Sequence, residues 1–311
     1  MSQSFDNYYT MKKTTILFIF NILTIIMVAQ SNVRLNNFWE KSYLINPASI
    51  NNEYFAEFNM AARKQWVNFP GTPTTFFASG TVYIDNLNTQ FGLKAYQDQI
   101  GYTSTSNIGL TYAYSLMLNR QWHVNLGLGL SFQSVGYDLS QVNSPTPNDP
   151  TIYSQLLNEN NLNSDLGVEL VSNKWQFGLA SQNIFSLFLP INAMFINSNY
   201  IYTKYRQNTL NPINLGFGVC GFQFGDLYQM EVNLTSYFKL NPDANTFQLG
   251  VFYRTWNEMG VLFGIDLTKN LHLSYSYDYN VSGISTDSFG THEIMFTYNL
   301  NKVFKCQNCW Y

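Results

Sequence analysis

Charged residues are scarce in this chain. Asp, Glu, Lys and Arg make up only 11% of its 311 residues, whereas they make up roughly a quarter of an average soluble domain. The formal net charge of −3 leaves no basic excess, which excludes the electrostatic signature of a nucleic-acid-binding protein. Aromatic residues, in contrast, reach 17%. Few charges and many aromatics together favour a protein that exposes much of its surface to lipid.

Long apolar runs are also nearly absent. A transmembrane helix needs about 20 consecutive apolar residues, and only residues 14–28 approach that length. Two lysines precede this run and Ala29-Gln30 follows it. This is the pattern of a secretory signal peptide, with a single membrane anchor as the alternative. Met11 stands directly before the lysines and is predicted to be the natural start, so residues 1–29 are predicted to be an upstream extension plus a cleaved signal peptide.

One stretch shows what takes the place of membrane helices. From Trp122 to Phe132 every second residue is large and apolar, and the residues between them are small or polar. Because successive side chains of a strand point to opposite faces, one face of this strand is entirely apolar and the other is almost bare. The apolar face would meet a second sheet in a soluble sandwich, or lipid in an outer-membrane barrel.

The same alternation recurs along the chain and favours the barrel. Strands of about 10 residues are long enough to cross a bilayer when tilted, and the signal peptide and low charge agree with lipid contact. We therefore predict an all-β protein, a transmembrane antiparallel β-barrel of the bacterial outer membrane with about 14 strands, 12–16 being compatible with the pattern. The predicted strands lie near residues 56–66, 74–84, 90–97, 105–117, 122–132, 165–172, 174–182, 200–207, 213–219, 230–234, 247–253, 259–265, 271–279 and 289–300.

Connection lengths predict the orientation of the barrel and the domain boundaries. Bacterial barrels have short periplasmic turns and longer outer loops. If the first strand starts in the periplasm, the two longest connections, 138–163 and 183–199, both fall outside the cell. This layout predicts a periplasmic lead-in at 30–55, the barrel at 56–300 and a periplasmic C-terminal tail at 301–311. Both barrel termini are then periplasmic.

No motif for catalysis or metal binding stands out. Of the three histidines, His123 and His272 share the predicted lumen face with Asp278, but polar lumen residues are expected in any barrel and no nucleophile motif accompanies them. The loop 138–163 lacks the spacing of a calcium-binding loop. The sequence therefore predicts a protein that is not an enzyme, with no catalytic residue, cofactor or metal site. An outer-membrane hydrolase that uses His123 or His272 is the least favoured alternative.

Three cysteines are present. Cys306 and Cys309 form a CxxC pair near the C-terminus, which in an exported protein predicts a small local disulfide, with redox exchange as the alternative. A single CxxC pair cannot supply the four ligands of a structural zinc site. Cys220 lies on the predicted lumen face, where we expect it to be an unreactive small residue.

The bare lumen face predicts a binding site. Glycine weakens a strand interior and often marks the close approach of another backbone, although it also permits bending at barrel corners. We predict that the lumen holds a polypeptide element: the protein's own loop, its own N-terminal segment or part of a secreted partner. The residues predicted for partner binding on this face are Gly127, Gly129, Ser131, Gly216 and Gly218. A second predicted cluster, which contacts a partner or a lumen plug or forms an interior charge network, is Arg63, Lys64 and Trp66.

Four stretches carry a resemblance to a known family. They resemble segments of the PorP/SprF family, outer-membrane proteins of the type IX secretion system and gliding machinery, and they occur in order over nearly the whole mature chain. This chain departs from the usual pattern at Lys64, where glutamine is common, and in its closing residues 304–311. The four stretches are Ile45-Asn46-Pro47-Ala48, Arg63-Lys64-Gln65-Trp66-Val67-Asn68-Phe69-Pro70-Gly71-Thr72-Pro73, Gly101-Tyr102-Thr103-Ser104-Thr105-Ser106-Asn107 and Gly290-Thr291-His292-Glu293-Ile294-Met295-Phe296-Thr297-Tyr298.

The resemblance implies a function and partners. Members are expected to be noncatalytic barrels that help export or anchor large secreted surface proteins such as adhesins. The implied partners are such a cargo protein, entering the lumen in one version, together with other secretion or gliding components and outer-membrane lipid. A channel for small or hydrophobic solutes is the main alternative function, and the hydrolase is the second.

Overall fold

The computed structural model describes residues 33–138, 159–188, 196–209, 211–239, 246–255, 258–281 and 288–302. In these residues the chain forms fourteen antiparallel strands that close into one barrel. Each strand pairs with its sequence neighbours, and the last strand closes the barrel on the first, from Leu300 opposite Ala56 to His292 opposite Lys64. The strands are β1 (Ala56–Lys64), β2 (Thr74–Ile84), β3 (Thr89–Ile100), β4 (Thr103–Met117), β5 (His123–Tyr137), β6 (Glu159–Val171), β7 (Trp175–Gln182), β8 (Ser198–Arg206), β9 (Ile213–Phe224), β10 (Leu227–Lys239), β11 (Thr246–Arg254), β12 (Glu258–Asp266), β13 (Leu271–Asn280) and β14 (Thr291–Leu300).

The predicted barrel and its strand number are confirmed, while some strand boundaries differ. β6 begins at Glu159, within the predicted loop 138–163, because its first residues pair with the C-terminal half of β5, where Glu159 lies opposite Val135. The sequence Glu-Asn-Asn-Leu-Asn has too few apolar residues to be recognised as a strand. β3 and β4 are also longer than predicted, since a tight turn at Gly101, with a φ of +56°, joins them directly.

The alternation in β5 shows which face meets which environment. Leu126, Leu128 and Leu130 point outward and are 43%, 46% and 57% exposed. Asn125 and Ser131, on the other face, are buried. An outer-membrane barrel has this arrangement, with apolar residues outside and polar residues inside. The core of this protein therefore lies in the lumen and is largely polar.

The helical structure of the described residues is limited to short 3-10 segments. No helix in this part of the chain is long and apolar enough to cross a membrane. Two of the segments, Asn36–Trp39 and Ser42–Leu44, precede β1, and all of their residues are buried. The chain before β1 therefore contributes to the interior of the barrel.

The two ends of the barrel differ in their connections. We call the end at which β1 begins and β14 ends the proximal end, and the opposite end the distal end. The proximal connections are short: the shortest is 172–174, and none is longer than 240–245. The two longest connections, 138–158 and 183–197, both lie at the distal end, although much of their length falls outside the described residues.

The outward face predicts a depth-dependent effect of charge. Replacing Leu128 with arginine is expected to lower the free energy of unfolding by roughly 2–4 kcal/mol, because the guanidinium would meet hydrocarbon near mid-strand. The same change at Leu116, which points outward close to the proximal end, is expected to cost about 0–1 kcal/mol. Denaturant unfolding in lipid vesicles, followed by tryptophan fluorescence, measures both losses. Equal losses would contradict the assigned lipid face.

Candidate functional site: the occupied barrel lumen

Residues 33–50 run through the lumen, and we call this segment the plug. Within residues 35–48 every residue except Glu40 and Lys41 is buried. The plug bonds to lumen-facing side chains around the barrel, from β3 and β4 to β13 and β14. The sequence predicts residues 30–55 as a lead-in before the barrel; the structure places the plug inside it, because its amides and asparagines find polar partners there.

The distal part of the plug is held by a buried carboxylate. Glu293 accepts hydrogen bonds from the backbone amides of Asn36 (2.8 Å) and Asn37 (3.0 Å), and from Asn37 Nδ2 (2.6 Å). Asn36 Nδ2 in turn donates to Asp278 Oδ1 at 2.9 Å. Hydrogen bonds to a carboxylate are roughly twice as strong as those between neutral groups. The plug therefore begins on a charged anchor of β14.

Two buried arginines balance these carboxylates. Arg63 pairs with Glu293 at 3.0 Å. Arg254 pairs with Glu231 at 2.7 Å and donates to Asn36 Oδ1 at 3.0 Å. The arginines are only 4% and 3% exposed, and removing one partner of such a buried pair costs roughly 3–5 kcal/mol. Arg34 of the plug lies 3.7 Å from Glu231 and adds a third arginine, so the plug completes the charge network.

The middle of the plug is fixed by one indole and one ammonium group. Trp39 donates through Nε1 to Glu231 and lies against Gly218, where an added Cβ would overlap the indole ring. Lys204 Nζ donates to the carbonyl oxygens of Phe38 (2.7 Å) and Trp39 (3.0 Å). These are carbonyls at the C-terminal end of the first 3-10 helix, where a cation is favourable. The glycine and the lysine therefore hold the plug from neighbouring strands.

The turn Asn46-Pro47-Ala48 crosses closely under two strands. The amide of Ala48 donates to Asn46 Oδ1 at 2.9 Å, which is the hydrogen bond of an Asx turn. Asn46 Nδ2 also donates to Tyr202 OH at 3.0 Å. A Cβ added at Gly127 would overlap the backbone of Ala48, and one added at Gly167 would overlap the Asn46 side chain. Glycine is required at both strand positions because the plug backbone passes so near.

Tyr43 fills the lumen beside this turn. Its hydroxyl lies 2.7 Å from Thr111 Oγ1 and occupies the space that a Cβ at Gly92 would need. Burial raises the pKa of Tyr43 well above its ordinary value, so the hydroxyl stays protonated and neutral. Lys94 Nζ lies 4.5 Å from the centre of the Tyr43 ring, within the range of a cation–π contact.

The proximal part of the plug carries Glu40 and Lys41, which are partly exposed. His272 Nε2 lies 2.9 Å from Glu40 Oε2, and its Nδ1 lies 2.6 Å from Asp266 Oδ1. Lys41 pairs with Glu57 at 2.6 Å. His272 is therefore flanked by two carboxylates, and in the described part of the chain its hydrogen-bond partners include no serine. This arrangement joins the plug to β12 and β13.

The predicted lumen residues divide into two groups. Gly127 and Gly218 face the plug directly, and Ser131 lines a cavity of about 60 Å³ beside it. Gly129 and Gly216 face side chains of other strands. The element that occupies the lumen is the protein's own N-terminal segment, one of the three predicted options. Contact between these residues and a secreted partner stays a prediction.

The three residues of the predicted cluster at the end of β1, Arg63, Lys64 and Trp66, do not lie together in the structure. Arg63 points into the lumen, where it also pairs with Asp278 at 3.2 Å. Lys64 follows on the opposite face and is exposed. Trp66 leaves the strand in a left-handed conformation, with a φ of +46°. Arg63 belongs to the charge network of the plug, while Lys64 and Trp66, at the distal mouth, stay a predicted partner contact.

Several residues that hold the plug are absent from the sequence prediction. Glu231, Glu293 and Lys204 stand at lumen positions of β10, β14 and β8. In a chain with so little charge, a carboxylate or ammonium group on the lumen face is the signal that points to them. Lumen-facing charges need a partner, and here the partner lies far away in sequence.

The structure describes only some of the residues in the cysteine and metal predictions. Cys306 and Cys309 lie outside the described residues. Cys220 is buried on the lumen face and is a free thiol. Among the residues that the structure describes, no group of three or more His, Cys, Asp or Glu side chains is arranged to hold a metal ion.

The distal anchor predicts a selective loss of stability. Glu293→Ala is expected to lower the free energy of unfolding by roughly 3–5 kcal/mol and to expose the plug to protease, because Arg63 and two plug amides lose their acceptor. Glu258→Ala is the matched control: Glu258 pairs with Arg254, but its side chain is 25% exposed, so the expected loss is under about 1 kcal/mol. Denaturant unfolding and limited proteolysis measure these effects. A protected plug in Glu293→Ala would contradict the anchor.

The glycine contacts predict a second matched pair. In Gly127→Ala the new methyl group overlaps the Ala48 backbone, so we expect the plug to shift and the ionic conductance of the barrel to rise. In Gly129→Ala, two residues along the same face, the methyl group would lie 3.3 Å from the nearest atom, so the conductance is expected to stay low. Single-channel recording in planar bilayers compares them. Indistinguishable traces would show that the plug does not control the lumen.

The four stretches that resemble the PorP/SprF family meet around the plug. Residues 45–48 form the turn that crosses the lumen. Arg63, from the second stretch, pairs with Glu293, from the fourth. The second and third stretches meet at the distal rim, where the Gly101 amide donates to the Gly71 carbonyl at 3.1 Å. The shared motifs therefore describe one structural unit, the plug with its distal anchor.

The chain is similar to known proteins both in fold and, through one family model, in sequence. Similar solved structures include the CymD monoaromatic hydrocarbon channel (11% identity, 89% of this chain and 95% of that chain, TM-score 0.50). The toluene transporter TbuX of Ralstonia pickettii has 11% identity over 82% of this chain and 92% of that chain, with a TM-score of 0.49. The likeness to CymD concerns the fold alone. No curated protein matches the sequence. The family model described as type IX secretion system membrane protein PorP/SprF matches residues 27–298, so the chain belongs to this family.

Proposed function

We propose that this protein is a noncatalytic accessory barrel of the type IX secretion and gliding machinery. In this proposal it lies in the outer membrane and helps to export or anchor a large secreted surface protein such as an adhesin. Family membership supports the link to the machinery. The observation that carries the proposal is the filled lumen, because a barrel closed by its own chain suits a protein that holds a partner at the membrane.

The orientation follows from the connections. Bacterial barrels have short periplasmic turns and longer outer loops, and here the short connections are proximal and the two longest are distal. We therefore propose that the proximal mouth faces the periplasm and the distal mouth faces the cell exterior. Residues 1–29 are then removed during export, and residues 301–311 stay in the periplasm.

The plug determines how partners would be bound. A partner that enters the lumen has to displace a segment held by Glu293, Lys204 and the close contact at Gly127. Breaking buried charged contacts is costly. We therefore favour partners that dock at the two mouths: a secreted protein at the distal mouth and other machinery components at the proximal mouth.

A solute channel is the rival function. CymD is described as a monoaromatic hydrocarbon channel and TbuX as a toluene transporter, but sequence identities this low carry no function to this chain. A plug fixed along the whole lumen opposes passive flow. Catalysis has less support, because His272 in the lumen is held between the carboxylates of Glu40 and Asp266.

Deletion of the gene tests the proposal. We expect one or more large secreted proteins to disappear from the cell surface, because they lose their export partner or their attachment. Surface-shaved peptides identified by mass spectrometry measure this loss. Expression of the wild-type barrel should restore the same proteins, and the level of an unrelated outer-membrane barrel should not change.

Purification of the tagged barrel gives the complementary measurement. The surface proteins lost on deletion are expected to co-purify with the barrel from solubilised outer membranes. An unchanged surface proteome, combined with lost uptake of a hydrophobic solute, would contradict the proposal and favour the channel.

A further inference from the structure

The proximal mouth contains a vestibule that the plug leaves open. Its volume is about 600 Å³, within the roughly 300–1,000 Å³ of pockets that enclose a small ligand. Trp39 and Glu40 of the plug line it, so the plug bounds it on the distal side. Its walls include Lys174, Arg206 and His272. The vestibule is therefore a polar chamber that is reached from the proximal side.

Two cations, Lys174 and Arg206, lie opposite each other on one wall of this vestibule. The amide of Arg206 donates to the carbonyl of Lys174 at 2.9 Å, one step beyond the last paired residues of β7 and β8. Lys204 lies two residues from Arg206 on the same face and also lines the vestibule. Like charges directly opposite in a sheet are destabilising. The stability of the barrel therefore gives no reason for this pairing.

Neither of the two cations has a carboxylate partner within ion-pair distance among the described residues. The acids nearby are engaged elsewhere: Glu40 and Asp266 both contact His272. A further lining acid, Glu53, is exposed, as Lys174 and Arg206 are, but it precedes β1 and does not belong to the wall formed by β7 and β8. The wall formed by β7 and β8 consequently presents uncompensated positive charge to the vestibule.

Arg206 is also oriented for recognition. Its guanidinium lies 4.0 Å from the centre of the Tyr237 ring, a stacking contact that holds the planar group in place. A guanidinium fixed in this way leaves its edges free to bind a carboxylate in bidentate geometry. The wall therefore offers one oriented guanidinium and one flexible ammonium group side by side.

We propose that this vestibule binds an acidic peptide segment of a partner protein. The inference rests on the proposed function, in which the proximal mouth faces other proteins of the machinery. Membrane lipid is a poor fit, because these side chains lie on the lumen face of their strands and not on the lipid face. The chain's own residues 301–311 are also a poor fit, since they contain two lysines and no acidic residue.

Peptide binding to the purified full-length barrel in detergent tests this inference. The probe is a short fluorescein-labelled peptide of alternating glutamate and serine, followed by fluorescence anisotropy. A peptide with glutamine in place of glutamate is the reference. We expect the wild-type barrel to bind the glutamate peptide, to ignore the glutamine peptide and to lose affinity as salt rises.

Two double variants locate the site. Lys174→Gln with Arg206→Gln is expected to weaken binding roughly tenfold, because two ion pairs are lost. Arg120→Gln with Lys269→Gln removes the same charge from exposed proximal turns that do not line the vestibule, so its affinity should stay within about twofold of wild type. Heat-modifiable gel mobility checks that all the barrels are folded.

Three results would overturn the inference. The first is that the wild-type barrel does not bind the glutamate peptide. The second is that both double variants weaken binding equally. The third is that Lys174→Gln with Arg206→Gln weakens binding to phosphatidylglycerol vesicles but not to the peptide. Each outcome is distinct from the deletion experiment. A barrel that binds the peptide, but whose deletion leaves the surface proteome unchanged, keeps this site and loses the proposed function.

Discussion

Buried charge in the lumen must be neutralised and hydrogen-bonded, and this constraint organises the molecule. Glu293, Asp278 and Glu231 face a water-poor interior in which an unpaired carboxylate is very costly. Arg63 and Arg254 of the wall and Arg34 of the plug supply the counter-charge, and the plug also supplies N–H donors through Asn36 and Asn37. The barrel wall and the plug are therefore stabilised by the same set of contacts, so neither is complete alone.

This dependence explains why a small barrel with so few charges places so many of them inside. The lipid face needs only apolar residues such as Leu128, and any strand with the right alternation provides them. The lumen face is specific, because charged positions such as Glu293 and Lys204 and glycines such as Gly127 each contact one feature of the plug. Lys174 and Arg206 of the proximal vestibule have no ion-pair partner among the described residues, and they face a chamber open to the proximal side, which directs attention to a partner protein.

Alternation predicts the barrel and its strand number because it is a local property that each strand repeats. The glycine pattern also predicts close approach of a backbone. The plug backbone does pass close to Gly127, whereas a side chain, the Trp39 indole, lies against Gly218; the pattern does not single out Gly167. The plug itself is not predicted: residues 33–50 have no period, and the contact between Asn36 and Glu293 joins residues 257 positions apart. Such pairing depends on the closed barrel, which no local window of sequence contains.

Amide hydrogen exchange of the wild-type barrel in lipid bilayers tests the central claim most directly. If the plug is held in the lumen as described, the backbone amides of Asn36 and Asn37, which donate to Glu293, exchange as slowly as those of the strands. The amides of residues 44–46, which are buried and bonded within the plug, are expected to be protected as well. Exchange of these amides at the rate of an unstructured peptide, with the strands still protected, would contradict a lumen closed by its own N-terminal segment.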